Sequence, residues 1–166
     1  MTVACLPGDG IGPEVLAQAV RVLDHYGIAH EEHPFGGAAI KALGMPLPAQ
    51  TLEACRTADA VLLGAVGLPE LEGLPVRPEQ GLIGLRKELD VYANLRPARQ
   101  GNVDLIIVRE LIGGLYYGER GTRADGTVFD TCEYTPAQVE RIARRAFEIA
   151  RARHGRLTSV DKVNVL

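Results

Sequence analysis

Gly8-Asp9-Gly10 follows a short apolar run, Val3 to Leu6, and precedes a helical pattern. In that setting a backbone can cradle a dinucleotide pyrophosphate, and Glu31 and Glu32 lie near the distance of a ribose-binding acid. The third glycine position holds Pro13, which cannot give the same close helix packing and has no backbone donor. The turn therefore does not read as an ordinary dinucleotide cradle. Cys5, Cys55 and Cys132 form no CxxC pair and no disulfide framework, so they read as structural thiols. His25, His30, His33 and His154 lack zinc-ligand spacing and read as surface or loop residues, while Asp104, Asp125 and Asp130 could suggest metal ligands. Arg86, Arg96 and Arg109 are different. A guanidinium fork pairs bidentately with a carboxylate, although any one of them alone reads equally as a surface arginine.

These side chains need elements to position them. Val3 to Leu6 predicts a strand. Pro13 suits the first turn of a helix whose Val15, Leu16, Ala19, Val22, Leu23 and Tyr26 recur at helical spacing, with Gly27 closing it. A second strand is expected from His30 to Phe35, then helices over Ala38 to Leu43 and Pro48 to Thr57. Ala60 to Val66 is a continuous apolar run, as in the interior of a parallel sheet. Gly67 to Pro78 is too rich in proline for a regular element. Gly81 to Leu89 reads as a helix. Val91 to Leu95 and Val103 to Val108 read as strands joined around residues 99 to 102, and Thr127 to Tyr134 as an exposed β arm. Thr135-Pro136-Ala137-Gln138 has the form of a capping box opening a helix to about His154. Its Arg141, Arg144, Arg145, Arg151 and Arg153 read as a solvated face, and Leu157 to Val160 as a last strand. The fold class is α/β, a parallel-rich sheet flanked by helices.

Composition agrees. The chain has 166 residues, 46% hydrophobic, with 18 basic and 21 acidic side chains. That is enough apolar material for a core and too much for disorder. A net charge of -3 argues against a nucleic-acid surface, and no apolar run nears the roughly 20 residues of a membrane span. The first ten residues lack a basic signal-peptide region, so a cytoplasmic protein is expected.

Five segments, in order, carry a more specific signal: Pro7 to Glu14 (PGDGIGPE), Leu82 to Lys87 (LIGLRK), Tyr92 to Ala98 (YANLRPA), Val108 to Tyr116 (VRELIGGLY) and Asp161 to Leu166 (DKVNVL). Together they resemble the β-decarboxylating dehydrogenases, the family of isopropylmalate, isocitrate, homoisocitrate and tartrate dehydrogenases, from Met1 to the last residue. The resemblance implies that Arg86, Arg96 and Arg109 converge on the two carboxylates of a 2-hydroxy dicarboxylate. It also implies that Lys162 relays the hydroxyl proton and that Tyr116 protonates the enol carbon. The cofactor is expected to be NAD, contacted by Ile11, Glu79 and Asn164, with Mg2+ or Mn2+. A homodimer with shared active sites is implied, because the lysine of this family reaches into the partner's site.

Leu82 and Ile83, with Val165 from the partner chain, offer an apolar wall that suits an isopropyl group; burying such a group contributes about 2 kcal/mol. The same pair could instead face the core. The expected reaction is oxidative decarboxylation of 3-isopropylmalate to 2-oxoisocaproate in leucine biosynthesis. The alternatives are a homoisocitrate or a tartrate/malate-type dehydrogenase, or a non-catalytic fragment that binds an anion or a partner subunit. Members of this family run to about twice this length, and their metal-binding aspartates lie past the point matching Leu166. These 166 residues are therefore expected not to turn over by themselves. The Arg96 to Arg109 connection is also shorter than isopropylmalate enzymes usually have. By resemblance, residues 1–98 form an incomplete first, cofactor-side domain, and 99–166 begin a second, dimerising one.

Overall fold

The computed structural model describes residues 1–161 and 164. The chain divides into two compact units, Met1–Asp90 and Val91–Leu166. The expected domain division after residue 98 falls inside a strand of the second unit.

In the first unit, strand β1 (Thr2–Gly8) leads into helix α1 (Gly12–His25), then β2 (Ala29–Glu32), α2 (Gly36–Leu43), α3 (Ala49–Thr57), β3 (Ala60–Ala65) and α4 (Pro78–Glu88). The three strands form a parallel sheet in the order β2-β1-β3. The central strand is buried on both faces, which is why its run alternates nowhere with polar residues. Val3 and Cys5 pack with Leu16 of α1 on one side. Ala4 and Leu6 pack with Phe35, Cys55 and Leu85 on the other. Burying a side chain such as Phe35 or Leu6 completely contributes about 2 to 3 kcal/mol. The β2 strand is shorter than expected, ending at Glu32: the His33 amide still donates to the Cys5 carbonyl of β1 at 2.9 Å, and Phe35 then turns into the core. Between β3 and α4 the proline-rich stretch holds only a 3-10 turn at Pro69–Leu71.

In the second unit, β4 (Ala93–Gln100) and β5 (Val103–Glu110) pair antiparallel along their whole length. Only Gly101 and Asn102 join them, and Gly101 takes φ +54, the left-handed conformation that tight two-residue hairpins require. A second short hairpin, β6 (Arg120–Thr122) with β7 (Val128–Asp130), forms the expected arm. Helix α5 (Pro136–Arg151) opens with the capping box: the Gln138 amide donates to the Thr135 hydroxyl oxygen at 3.2 Å, and the Thr135 amide donates back to the Gln138 side-chain oxygen at 2.8 Å. The strand expected over Leu157 to Val160 is irregular backbone. Its valine and leucine are exposed, so no neighbouring strand rewards extension.

Candidate active site

In the first unit, the β1–α1 turn explains why Pro13 is tolerated. The close approach is made one residue earlier, at Gly12, where an added methyl group would overlap the Pro7 carbonyl and come within 2.7 Å of the Ala65 amide nitrogen. Asp9, only 4% exposed, points across the turn. Its carboxylate accepts from the Gly37 and Ala38 amides at the start of α2, both at 2.8 Å, and from the Gly67 amide after β3 at 3.0 Å. The amides at the start of α2 are thus engaged by the protein's own anion, which ties the β1–α1 turn to α2 and to the end of β3.

Ile11 stands exposed on the turn, just before α1. Glu79 occupies the first turn of α4, exposed, with a carboxylate oxygen 3.5 Å from the position a Gly67 side-chain carbon would take. One turn further along α4, Leu82 and Ile83 are half-buried, and Leu82 packs against the Ala4–Leu6–Phe35 cluster. Arg86 follows, half-buried in the last turn of the helix, where a cation is favoured by the helix dipole.

In the second unit, the hairpin register sets the chemistry. Asn94 sits opposite Arg109, and Arg96 opposite Ile107. Alternation along a strand places Asn94, Arg96 and Arg109 on one face. The Arg96 Nε donates to Asn94 Oδ1 at 2.8 Å. After Arg109 the chain turns at Leu111 to Gly113 into a 3-10 turn, Gly114–Tyr116. That turn returns Tyr116, 53% exposed, beneath the Arg109 guanidinium at 5.5 Å from the ring centroid. Two guanidinium groups and a phenol are therefore presented together by one hairpin and the turn that follows it. This combination can hold carboxylates and give up a proton. The neighbouring Tyr134 differs: burial first, then Cys132 and Glu110, push its phenol up, partly opposed by Arg109.

Asn164 is exposed in a turn. The candidates Lys162 and Val165 lie outside the described residues. Among the described residues, no three histidine, cysteine, aspartate or glutamate side chains gather as a metal site would require. Three participants were not anticipated. Asp9 and Asn94 lay inside the quoted motifs without a role. Arg141, expected on a solvated helix face, instead stacks 4.5 Å over the Tyr92 ring and pairs with Glu110 at 3.3 Å. Arg144 and Arg145 do sit on that exposed face, paired within the helix with Glu140 and Glu148.

The sequence matches the isocitrate/isopropylmalate dehydrogenase family over residues 2–166, and the chain belongs to that family. It is 44% identical to the 3-isopropylmalate dehydrogenase of Listeria innocua, over 99% of this chain and 53% of that one. It is 52% identical to that of Symbiobacterium thermophilum, over 99% of this chain and 52% of that one. Among solved structures, it resembles a β-decarboxylating dehydrogenase from Thermococcus kodakarensis with a TM-score of 0.79 and 41% identity, covering 99% of this chain and 50% of that one. The chain spans about half the length of the curated relatives it matches. Those matches extend over 185 and 193 aligned positions against 166 residues here, so the relatives carry insertions within the matched span.

Proposed function

We propose that this chain supplies the substrate-binding half of an enzyme that oxidises and decarboxylates 3-isopropylmalate with reduction of NAD, a step of leucine biosynthesis. The observation that carries the proposal is the hairpin that gathers Asn94, Arg96 and Arg109 and returns Tyr116 beneath Arg109. The identity to 3-isopropylmalate dehydrogenases supports the choice of substrate.

Arg96 and Arg109, with Arg86 from α4, bind the two carboxylates of the malate moiety through paired N–H donors. The exposed parts of Leu82 and Ile83, with Val165 of the partner copy, face the isopropyl group. Lys162 takes the proton of the C2 hydroxyl while the C2 hydrogen leaves as hydride. The bond from C3 to its carboxylate then breaks, carbon dioxide departs, and the electron pair remains on the enolate. Tyr116 donates its proton to C3 and is afterwards reprotonated from solvent, to which it is open. NAD would supply the hydride acceptor, and Ile11, Glu79 and, across a homodimer, Asn164 would hold it. A divalent cation would polarise the hydroxyl oxygen. The described residues offer no ligand set for one. No described helix is long and apolar enough to cross a membrane, and the setting we propose is cytoplasmic.

The test is a comparison of kcat/KM for 3-isopropylmalate, homoisocitrate, isocitrate and tartrate, with NAD and Mg2+, on the protein that carries these residues. The isopropyl compound should be preferred by about 10-fold or more, the discrimination an alkyl-sized pocket provides. Faster turnover of a tricarboxylate or of tartrate would overturn the substrate assignment.

A further inference from the structure

The Arg109–Tyr116 arrangement depends on a turn of five intervening glycine-rich and apolar residues, which have no side chain of their own able to fix it. Glu110 does this from outside the turn. Its side chain is 8% exposed, and one carboxylate oxygen accepts from the Ile112 amide at 2.9 Å and the Gly113 amide at 2.6 Å. The other oxygen accepts from the Arg141 guanidinium at 3.3 Å, and that guanidinium lies over the Tyr92 ring, 4.5 Å from its centroid. Arg141 stands on α5, 31 residues away in sequence. The same helix start contributes Gln138, whose side-chain nitrogen donates to the Ile112 carbonyl at 3.3 Å. The Gly114 amide donates to the Glu133 carbonyl at 2.9 Å, and the Tyr134 ring closes against Gly113 and Gly114 so tightly that a side chain at Gly114 would come 2.5 Å from its hydroxyl.

We infer that Glu110 and Arg141 are positioning residues, a charge pair that clamps the Leu111–Gly113 turn to α5 and thereby fixes the Tyr116 hydroxyl relative to Arg109. Neither residue reaches the Arg109–Tyr116 face. Glu110 points to the opposite side of β5 from Arg109, as strand alternation requires. A carboxylate holding two amides needs a cation to offset the cost of its burial, and Arg141 supplies it. A lysine in its place would keep the charge and lose both the fork and the contact with Tyr92.

The inference rests on the assignment of Tyr116 as proton donor, and two readouts separate the two ideas. The first needs no turnover: amide hydrogen exchange at Ile112 and Gly113, with a fluorotyrosine resonance at position 116, compared in the unaltered chain, Glu110→Gln and Arg141→Met. The clamp predicts exchange at these two amides faster by about 10-fold or more and a shifted, broadened Tyr116 resonance, while exchange in β1 and β3 stays the same. The second readout is kinetic. Arg141→Met should lower kcat by about 10-fold or more with KM for the hydroxy acid changed less than threefold, and Arg141→Lys should recover part of kcat. Unchanged exchange and an unchanged Tyr116 resonance in both variants would overturn the clamp, whatever the activity. Altered exchange with kcat untouched would leave a purely structural pair and overturn the positioning role. Absence of isopropylmalate turnover in the unaltered protein would instead count against the proposed function, and the exchange result would still decide the clamp.

Discussion

The Arg109 guanidinium lies 5.5 Å from the centre of the Tyr116 ring, with six residues of sequence between the two and a glycine turn folding one back upon the other. Exposed cation–π contacts of this kind contribute about 0.5 to 1 kcal/mol.

Removing only the Tyr116 hydroxyl separates binding from chemistry. Tyr116→Phe keeps the ring under Arg109, so substrate affinity should change less than threefold, while the decarboxylation–protonation stage slows by about 100-fold or more. Single-turnover kinetics distinguishes the stages. Lost binding with a normal chemical step would contradict the assignment.

Gly12 and Gly84 should respond oppositely to alanine. At Gly12 the new methyl group overlaps the Pro7 carbonyl, so Gly12→Ala should cost about 3 kcal/mol or more. Gly84 lies inside α4, where the nearest atom to an added methyl group is Leu47 Cδ2 at 3.6 Å, so alanine should stabilise by about 0.5 to 1 kcal/mol. Urea titration of both variants checks this.

Asp104 makes the second unit sensitive to acid. Its hydrogen bonds with Arg153 (2.6 Å) and Arg99 (3.2 Å) hold its carboxyl below the ordinary value of 3.8, those of Arg153 being the larger cause. The folded chain therefore keeps Asp104 ionised more readily than the unfolded chain. The resulting stability is fully present above pH 3.8 and is lost as pH falls through the lowered folded value. The melting temperature of Asp104→Asn should be lower than that of the unaltered chain at neutral pH, and the two should converge as pH falls through the lowered folded value. Parallel curves across that range would rule out the linkage.

The thiols should separate by access. Burial pushes the Cys5 and Cys55 thiols up, with Glu32 adding to the effect at Cys5, while Cys132 is exposed. The thiolate is the reactive form. Iodoacetamide at pH 8 should label Cys132 first, with the other two modified only on unfolding, as peptide mass mapping would show.

Local signals in the sequence were readable where their partners are near. Thr135 and Gln138 stand three residues apart, and their capping box forms as expected. The strands either side of Gly101 and Asn102 were also anticipated, and glycine explains the tightness of their turn. The arginines of the hairpin were singled out through the family resemblance of their motifs, and the shared face of Arg96 and Arg109 followed only once the strand register was known. Partnerships over long separations were not readable. Asp9 between two glycines gives no sign that amides 28, 29 and 58 residues later converge on it. Arg141 is one arginine of several on α5, and only packing against β5 distinguishes it from Arg144. Leu157 to Val160 failed for the converse reason: the residue types favour a strand, but among the described residues no strand pairs with it.

The most direct measurement is the stoichiometry of products when the protein carrying these residues is supplied with 3-isopropylmalate, NAD and Mg2+. Equal amounts of NADH, carbon dioxide and 2-oxoisocaproate are expected, with all three falling together in Arg109→Met. NADH formed without carbon dioxide, or turnover unaffected by loss of Arg109, would contradict a decarboxylating site built on this hairpin.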